Sequence, residues 1–413
     1  MRMSRVLIVG GGPSGCACAL ALRCGAQARG ESVEVILLEP KRFGRHFNQC
    51  AGVVMPSQID EVLGEWGTSL PRRLIQREVG GYVLHAEQDR IELPPRPGDP
   101  ASSATRRVRL DQHLLNEAHR AGTLIVPDRA SDIEIGDDGV VVYTDGDTYH
   151  ADAVIGAFGL DPGTAGVFAR CTRYRPPPAL STLVTKVHPH GLEPVPGLLG
   201  DQIHAFLPRL PGVEFGALIP KGNHVSIIVA GRRVTEADMR AFIASPRVRE
   251  LLPSAASHGD CFRGAFPAGR ARGIFSERCI IVGDAAGMVR PFKGGGIRAA
   301  LLTGRAAGRA LLEFGPCSQA GASYVAACGD LASDVAYGRL LRALVALLSG
   351  PFRLEAVIAL ARHSPELQRA LYDCVSGRTS YRQVFREQLT PRLLSRIAWD
   401  CLTWPLRSRG PGR

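Results

Sequence analysis

Apolar positions along this chain follow two spacings. Residues 6–9 are a short apolar run without polar alternation, the pattern of a strand buried on both faces, and 33–38 form a second apolar run. Between them, residues 16–28 are rich in Ala and Leu and have helical character. Two further apolar runs, at 152–159 and 279–282, end in small residues, as parallel strands do where they reach a ligand. Shorter strand signals occur at 80–86, 123–126, 133–135 and 140–144, with a turn at Gly146 and a return near Tyr149 and His150. A helix is expected over 112–120, closed by Gly122. Residues 94–103 are rich in Pro, Gly and Ser and predict a loop.

The pattern changes after Pro176–Pro178, three prolines in a row. Strand signals dominate at 181–187, 202–207, 215–219 and 224–229, and a helix follows at 235–244. This predicts an antiparallel sheet with a covering helix, a layer suited to closing a substrate pocket. A strand at 279–282 then leads to a long Ala- and Leu-rich helix at 298–312. From residue 320 the chain reads as helices at 331–348, 355–362, 366–375 and 392–402, punctuated by Gly350-Pro351, Pro365 and Gly377. The last puts Leu393, Leu394, Ile397 and Cys401 on one face, with Trp399 and Trp404 flanking it.

Glycines sit at the joints of this pattern. Gly10-x-Gly12-Pro13-Ser14-Gly15 follows the first strand and opens the first helix, and the second strand ends at Glu39. In such a unit the first glycine permits a tight turn. The second lets backbone approach a pyrophosphate, and the third lets helix and strand pack closely. The helix N-terminus offers N–H groups to phosphates, and the acid can accept a ribose hydroxyl. With both strands, the helix and the acid in place, the stretch predicts dinucleotide binding. A second joint follows residues 279–282: Gly283-Asp284-Ala-Ala-Gly287, then Pro291-Phe-Lys293-Gly294-Gly295-Gly296-Ile297. Asp284 at a strand end can accept ribityl or ribose hydroxyls, and the glycines offer N–H groups to a flavin edge or a phosphate.

A length of 413 residues suggests two to three structural units. The net charge of +11 suits an anionic ligand, an acidic membrane surface or an acidic partner. No aromatic–basic interleaving points to nucleic acid. Only four of the 50 basic side chains are lysines: Lys41, Lys186, Lys221 and Lys293. The eleven cysteines are scattered without CxxC or zinc spacing, so no metal site is expected and a reducing cytoplasm is. Three glycines and a proline interrupt the apolar N-terminal run, which makes the nucleotide fingerprint a better reading than a signal peptide, and no transmembrane helix is expected.

Together, the two glycine joints, Arg107-x-x-Leu-Asp111 and the loop Cys50-x-Gly52 resemble the FAD-dependent superfamily of geranylgeranyl reductases and para-hydroxybenzoate-hydroxylase-type monooxygenases. The geranylgeranyl reductases are the most similar. The segment Phe215-Gly-Ala217-Leu-Ile219-Pro220 looks like their aromatic-rich strand. The resemblance covers residues 5 to about 312 and is faint beyond. It implies a Rossmann-like α/β FAD-binding domain in two parts, 1–175 and 271–319. An antiparallel substrate domain at 176–270 and a helical C-terminal region at 320–413 complete the expected organisation. By resemblance, Gly10, Gly12, Pro13, Ser14, Gly15 and Glu39 hold the ADP half of FAD. Arg107 contacts the cofactor, and Gly283 and Asp284 face its pyrophosphate–ribityl part. Gly294, Gly295, Gly296 and Ile297 line the ring, and Phe215, Ala217 and Ile219 line the substrate pocket.

Departures from the pattern narrow the chemistry. Phe158-Gly159 stands where many hydroxylases carry Asp-Gly, which weakens the hydroxylase reading. Ala217 and Ile219 replace aromatic residues of the reductases, which implies a wider pocket. The two Trp of the flavin-halogenase strand are absent, and so is an iron–sulfur module of the kind some flavoprotein dehydrogenases need. The expected reaction is reduction of carbon–carbon double bonds in an isoprenoid or similarly apolar substrate, with NAD(P)H as a candidate electron donor. A flavin monooxygenase and a quinone- or carrier-linked dehydrogenase are the alternatives. Two residues are candidates for catalysis. Cys50 either donates a proton or forms a wall of the pocket. Lys293 either stabilises reduced flavin or is solvated. The C-terminal stretch 378–413 carries eight Arg against Glu387 and Asp400, so its amphipathic helix either contacts a membrane surface peripherally or docks on the protein itself.

Overall fold

The computed structural model describes residues 3–41, 50–188, 199–252, 259–348 and 353–407. Gly350 and Pro351, and Arg409 and Arg413 of the basic C-terminal stretch, lie outside them.

The apolar runs form a six-stranded sheet in the order Phe275–Ser276, Cys279–Ile281, Ala153–Gly156, Arg5–Val9, Glu34–Leu38 and Leu124–Val126. All neighbours are parallel except the first pair. Val6, Leu7, Ile8, Leu37 and Leu38 are almost wholly buried, as expected of strands covered on both faces. Helix Pro13–Ala28 packs on helix Ile297–Phe314 through small residues. A Cβ on Gly304 would lie 2.1 Å from the Ser14 carbonyl, and one on Gly308 would lie 2.8 Å from the Ala21 Cβ. The second glycine joint is thereby held against the first. The hairpin signals form a separate antiparallel sheet of Ala130–Ile135, Val140–Thr144 and Thr148–Ala151.

The predicted antiparallel layer is a seven-stranded sheet in the order Phe262–Pro267, Ala179–Val187, Val225–Gly231, Phe215–Pro220, Gln202–Phe206, Gly81–His85 and Arg90–Leu93. Every pair is antiparallel except Gln202–Phe206 with Gly81–His85, which is parallel. Two strands of this sheet therefore come from upstream of the three prolines. Leu218, Ile227 and Val229 on one face pack on Met239 and Phe242 of helix Glu236–Ala244, which opens with a Thr235–Asp238 capping box. Residues on the opposite face, with Ala217 and Ile219, join a core with Ile358, Leu360, Leu367, Tyr372, Tyr381, Leu393 and Ile397 of the C-terminal helices. Those helices, Arg353–Arg362, Pro365–Ser376, the short Tyr381–Gln383 and Pro391–Arg407, form a wall against the sheet's inner face.

The expected loop at 94–103 holds the start of a strand instead. Ser102–Thr105 pairs with Val53–Val54 and Ile75–Val79 in a three-stranded sheet. Its residues are small and, apart from Ala104, polar, yet all are buried, so no hydrophobic pattern announced it.

Candidate active site

The first joint turns where geometry demands glycine. Gly10 has φ +111°, and a Cβ there would lie 2.4 Å from the Ala157 carbonyl oxygen. A Cβ on Gly15 would lie 1.9 Å from the Gly10 carbonyl oxygen. Gly12 differs, because nothing lies within 4 Å of its Cβ position. It faces open space at the start of helix Pro13–Ala28, whose N-terminus no side chain caps. Bare backbone, free helical N–H groups and room beside them make the cradle a pyrophosphate requires. Glu39 accepts the Gly11 N–H at 2.9 Å and the Lys41 N–H at 2.8 Å. A carboxylate has about four acceptor positions, so capacity for a ribose hydroxyl remains.

Gly12, Pro13, Ser14 and Glu39 open into a cavity of about 1070 Å³. The same cavity is lined by Gly10, Cys50, Arg107, Asp284, Lys293, Gly294, Gly295, Gly296, Ile297, Phe215, Ala217 and Ile219. Of the expected site residues only Gly15 and Gly283 stand behind it, as packing positions. Gly283, at φ +67°, is held against Ser14 and donates its N–H to Thr303 Oγ1 at 3.0 Å. The residues present therefore fit a dinucleotide cofactor along the first sheet, with an apolar compartment continuous with it.

Charge is concentrated at the middle of the cavity. Arg107 opens helix Arg107–Arg120 and donates Nε–H to Asp111 Oδ1 at 2.6 Å. Lys41 pairs with the other Asp111 oxygen at 3.3 Å. Burial raises the Asp284 carboxyl above its usual range, Arg107 opposes that shift, and Asp111 adds to it.

The loop at residues 290–296 is tied to the C-terminal helices. The Lys293 ammonium donates to the Ser376 carbonyl at 2.5 Å and the Val375 carbonyl at 3.4 Å. These carbonyls end helix Pro365–Ser376, where a cation is favoured. Burial, then the neighbouring Arg290, pulls Lys293 down to about 7. Arg290 donates to the Gly377 carbonyl at 2.6 Å, pairs with Asp334 at 2.9 Å and lies over the Tyr381 ring. Gly377 has φ +73°, and a Cβ there would lie 2.2 Å from Lys293 Nζ. The Lys293 ammonium is thus engaged with backbone at the cavity wall.

The apolar compartment lies on the inner face of the seven-stranded sheet. Phe215, Ala217 and Ile219 alternate along one strand, with Ala205, Ile203, Leu84 and Ile228 from its neighbours, Phe266 beside Gly294, and Phe292 from the loop at 290–296. Tyr82 adds one polar point, its hydroxyl donating to Ser102 Oγ at 2.9 Å. Half-buried Cys50 faces the same space, and its Sγ accepts the Gly52 N–H at 3.3 Å. Phe158 packs on Phe168 and Tyr174 with ring centres 4.9 and 5.7 Å apart.

Sequence reading missed Lys221. It follows strand Phe215–Pro220, is 3% exposed, and donates from Nζ to the Ala51 carbonyl at 2.6 Å and the Thr105 carbonyl at 2.7 Å. Its rarity was a signal, since the chain has four lysines, but its partners are over a hundred residues away.

No family model matches the chain. It is 25% identical over 320 residues to digeranylgeranylglycerophospholipid reductase 1 of Methanothermobacter thermautotrophicus, covering 74% of this chain and 76% of that protein. A geranylgeranyl bacteriochlorophyll reductase-like protein from Thermoplasma acidophilum superposes with a TM-score of 0.70 over 97% of this chain and 100% of its own, at 17% identity. The flavin-dependent brominase Bmp2 superposes with a TM-score of 0.68 over 98% and 100%, at 14% identity. The chain therefore shares its fold with solved structures named as a geranylgeranyl bacteriochlorophyll reductase-like protein and as a flavin-dependent brominase, and has weak sequence similarity to a digeranylgeranylglycerophospholipid reductase. Proteins named for different reactions share that fold, so fold alone does not select the chemistry.

Proposed function

We propose that this protein is an FAD-dependent oxidoreductase that reduces carbon–carbon double bonds of an isoprenoid or comparably apolar substrate. One observation carries the reading: the nucleotide cradle, the loop at 290–296 and the apolar sheet face line a single continuous cavity. Gly10, Gly12, Ser14 and Glu39 would hold the ADP half of FAD, Arg107 and Asp284 its middle, and Gly294–Gly296 with Ile297 its ring end. FAD bound there supplies two-electron chemistry, its reduced form giving up a hydride, with NAD(P)H the proposed donor. The chain's own residues do the rest. Phe215, Ala217, Ile219 and Ile228 desolvate and orient the substrate. Lys293 fixes the glycine loop and places positive charge at the ring end. Addition across a double bond takes one hydride and one proton, and the Cys50 thiol holds a proton at Sγ on the substrate side.

The similarity to a digeranylgeranylglycerophospholipid reductase supports this reading, as does Phe158 in place of an acid. The second reading, a flavin monooxygenase or carrier-linked dehydrogenase, is supported by solved neighbours named as a brominase and as a flavoprotein/dehydrogenase. Anaerobic turnover decides between them. Enzyme reduced without oxygen should be reoxidised by a polyprenyl compound whose mass rises by pairs of hydrogens. Cys50→Ala should slow that step about a hundred-fold while flavin content holds. Reoxidation only by oxygen, with an oxygen atom inserted, would install the monooxygenase. Wild-type turnover by the Cys50→Ala variant would reduce the thiol to a pocket wall. Among the described residues no single helix is long and apolar enough to cross a membrane. We propose peripheral contact through helix Pro391–Arg407, which exposes Leu394, Trp399 and Leu402.

A further inference from the structure

Lys221 joins two parts of the cavity that belong to different sheets. Its backbone is fixed without the side chain: the Lys221 N–H donates to the His224 carbonyl at 2.9 Å, and its carbonyl accepts from Arg77 Nε at 3.0 Å. The ammonium then crosses to the loop that carries the thiol and bonds the Ala51 and Thr105 carbonyls. Thr105 closes the arrangement, giving its N–H to the Gly52 carbonyl at 2.7 Å and its Oγ1–H to the same oxygen at 3.0 Å. Gly52 has φ +66°, and a Cβ there would lie 2.4 Å from the Thr105 carbonyl oxygen and 3.3 Å from Lys221 Nζ. The loop therefore has one compact arrangement, built around a buried cation.

We propose that Lys221 is the positioning residue for Cys50: it ties the thiol loop to the substrate-lining strand Phe215–Pro220, so that thiol and pocket floor keep one geometry. This rests on the reading of Cys50 as a group facing substrate. A buried cation is a costly way to fill space, because an ammonium loses its hydration. Here two carbonyls from separate segments replace that hydration. A third N–H of the ammonium remains beyond the two carbonyl bonds.

The test measures thiol reactivity rather than turnover, so it stands or falls apart from the reductase reading. Full-length flavin-loaded Lys221→Met and Lys221→Arg would be compared with wild type for the rate of Cys50 alkylation by iodoacetamide, read by mass spectrometry of its peptide. Loss of the charged bonds should change that rate about ten-fold in the Met variant. The Arg variant should restore most of it, with flavin content unchanged in both. A flavin-loaded Met variant alkylated at the wild-type rate would overturn the proposal. Hydrogen exchange of the wild type gives a second measurement, independent of any variant's folding. The amides of residues 52–54 and of strand Phe215–Pro220 should open together in mild denaturant. A loop that exchanges freely beside a protected strand would equally overturn it.

Discussion

Three glycines of one fingerprint have three different tolerances. Gly10 and Gly15 are in contact with backbone, so a methyl group on either must displace it, whereas Gly12 meets nothing. Gly12→Val should therefore fold with a melting temperature near that of flavin-free wild type, yet purify colourless, because the branched side chain fills the pyrophosphate space. Gly15→Ala should lose about 3 kcal/mol or more, since no side chain there can yield. Absorbance at flavin wavelengths and thermal melts separate the two outcomes; a yellow Gly12→Val protein would remove the first joint from the cofactor site. Gly377→Ala combines a positive φ with a clash at Lys293, so a loss of about 1–3 kcal/mol and weakened flavin retention are expected. Urea titration and flavin release on dilution would measure both. At this scale the local motif was legible. Spacing alone identified Gly10 to Gly15, because the strand, turn and helix are contiguous in sequence. Gly377, Arg290 and Lys221 were not legible as site residues, because each acquires its meaning from partners about 80 to over 160 residues away.

Elements with a strong period were readable, and those without one were not. The parallel strands and the helices at 298–312 and 366–375 lie within a few residues of Ile297–Phe314 and Pro365–Ser376 as observed. Strands Val53–Val54 and Ser102–Thr105 are short or made of small polar residues, and only tertiary pairing specifies them. The final helix docks on the protein through one face and leaves an apolar strip exposed on another. Leu393 and Ile397 are buried against the other C-terminal helices, while Leu394, Trp399 and Leu402 are exposed, Leu402 by 75%. Arg392 and Arg396 are exposed beside them. Truncation near Gln388 would uncover the core under Leu393 and Ile397, so it confounds folding with binding. Serine at Leu394, Trp399 and Leu402 together leaves that buried face intact. The triple variant should melt within a few degrees of wild type and lose about ten-fold or more in affinity for anionic vesicles, with neutral vesicles as the comparison. Co-sedimentation unchanged by the three substitutions would remove the membrane role from this helix.

Across the whole molecule, burial of titratable groups fixes how stability varies with pH. Burial, with nearby positive charge, lowers His85 to about 3 and His224 to about 4, and His204 moves the same way. The His85–His204 contact of 2.9 Å is a hydrogen bond between neutral rings. An unfolded chain protonates these rings near 6.5 and the native chain does not, so below that pH the unfolded state binds more protons and stability falls with acid. Asp284 and Glu355, raised by burial, act in the opposite sense nearer the carboxylate range. Lys293 at about 7 and Lys221 at about 8 lie below the ordinary lysine value of 10.5. Between those values the unfolded chain again holds more protons, so stability continues to rise as pH increases. The buried thiols reverse the trend. Burial pushes Cys328 up to about 11 and Cys374 up to about 12, and raises Cys16, Cys18 and Cys279 as well. Above the ordinary thiol value of 9.0 the unfolded chain ionises them first, and stability falls. The urea midpoint of the flavin-free protein should therefore climb from about pH 5, peak at about pH 8 to 9, and decline beyond. Lys221→Met removes a contribution that rises between about pH 8 and 10.5, so the decline on the alkaline side should be steeper in that variant. A midpoint highest near pH 5 to 6, roughly where an ordinary His begins to ionise, would show that the buried imidazoles and ammoniums do not set the stability of this fold.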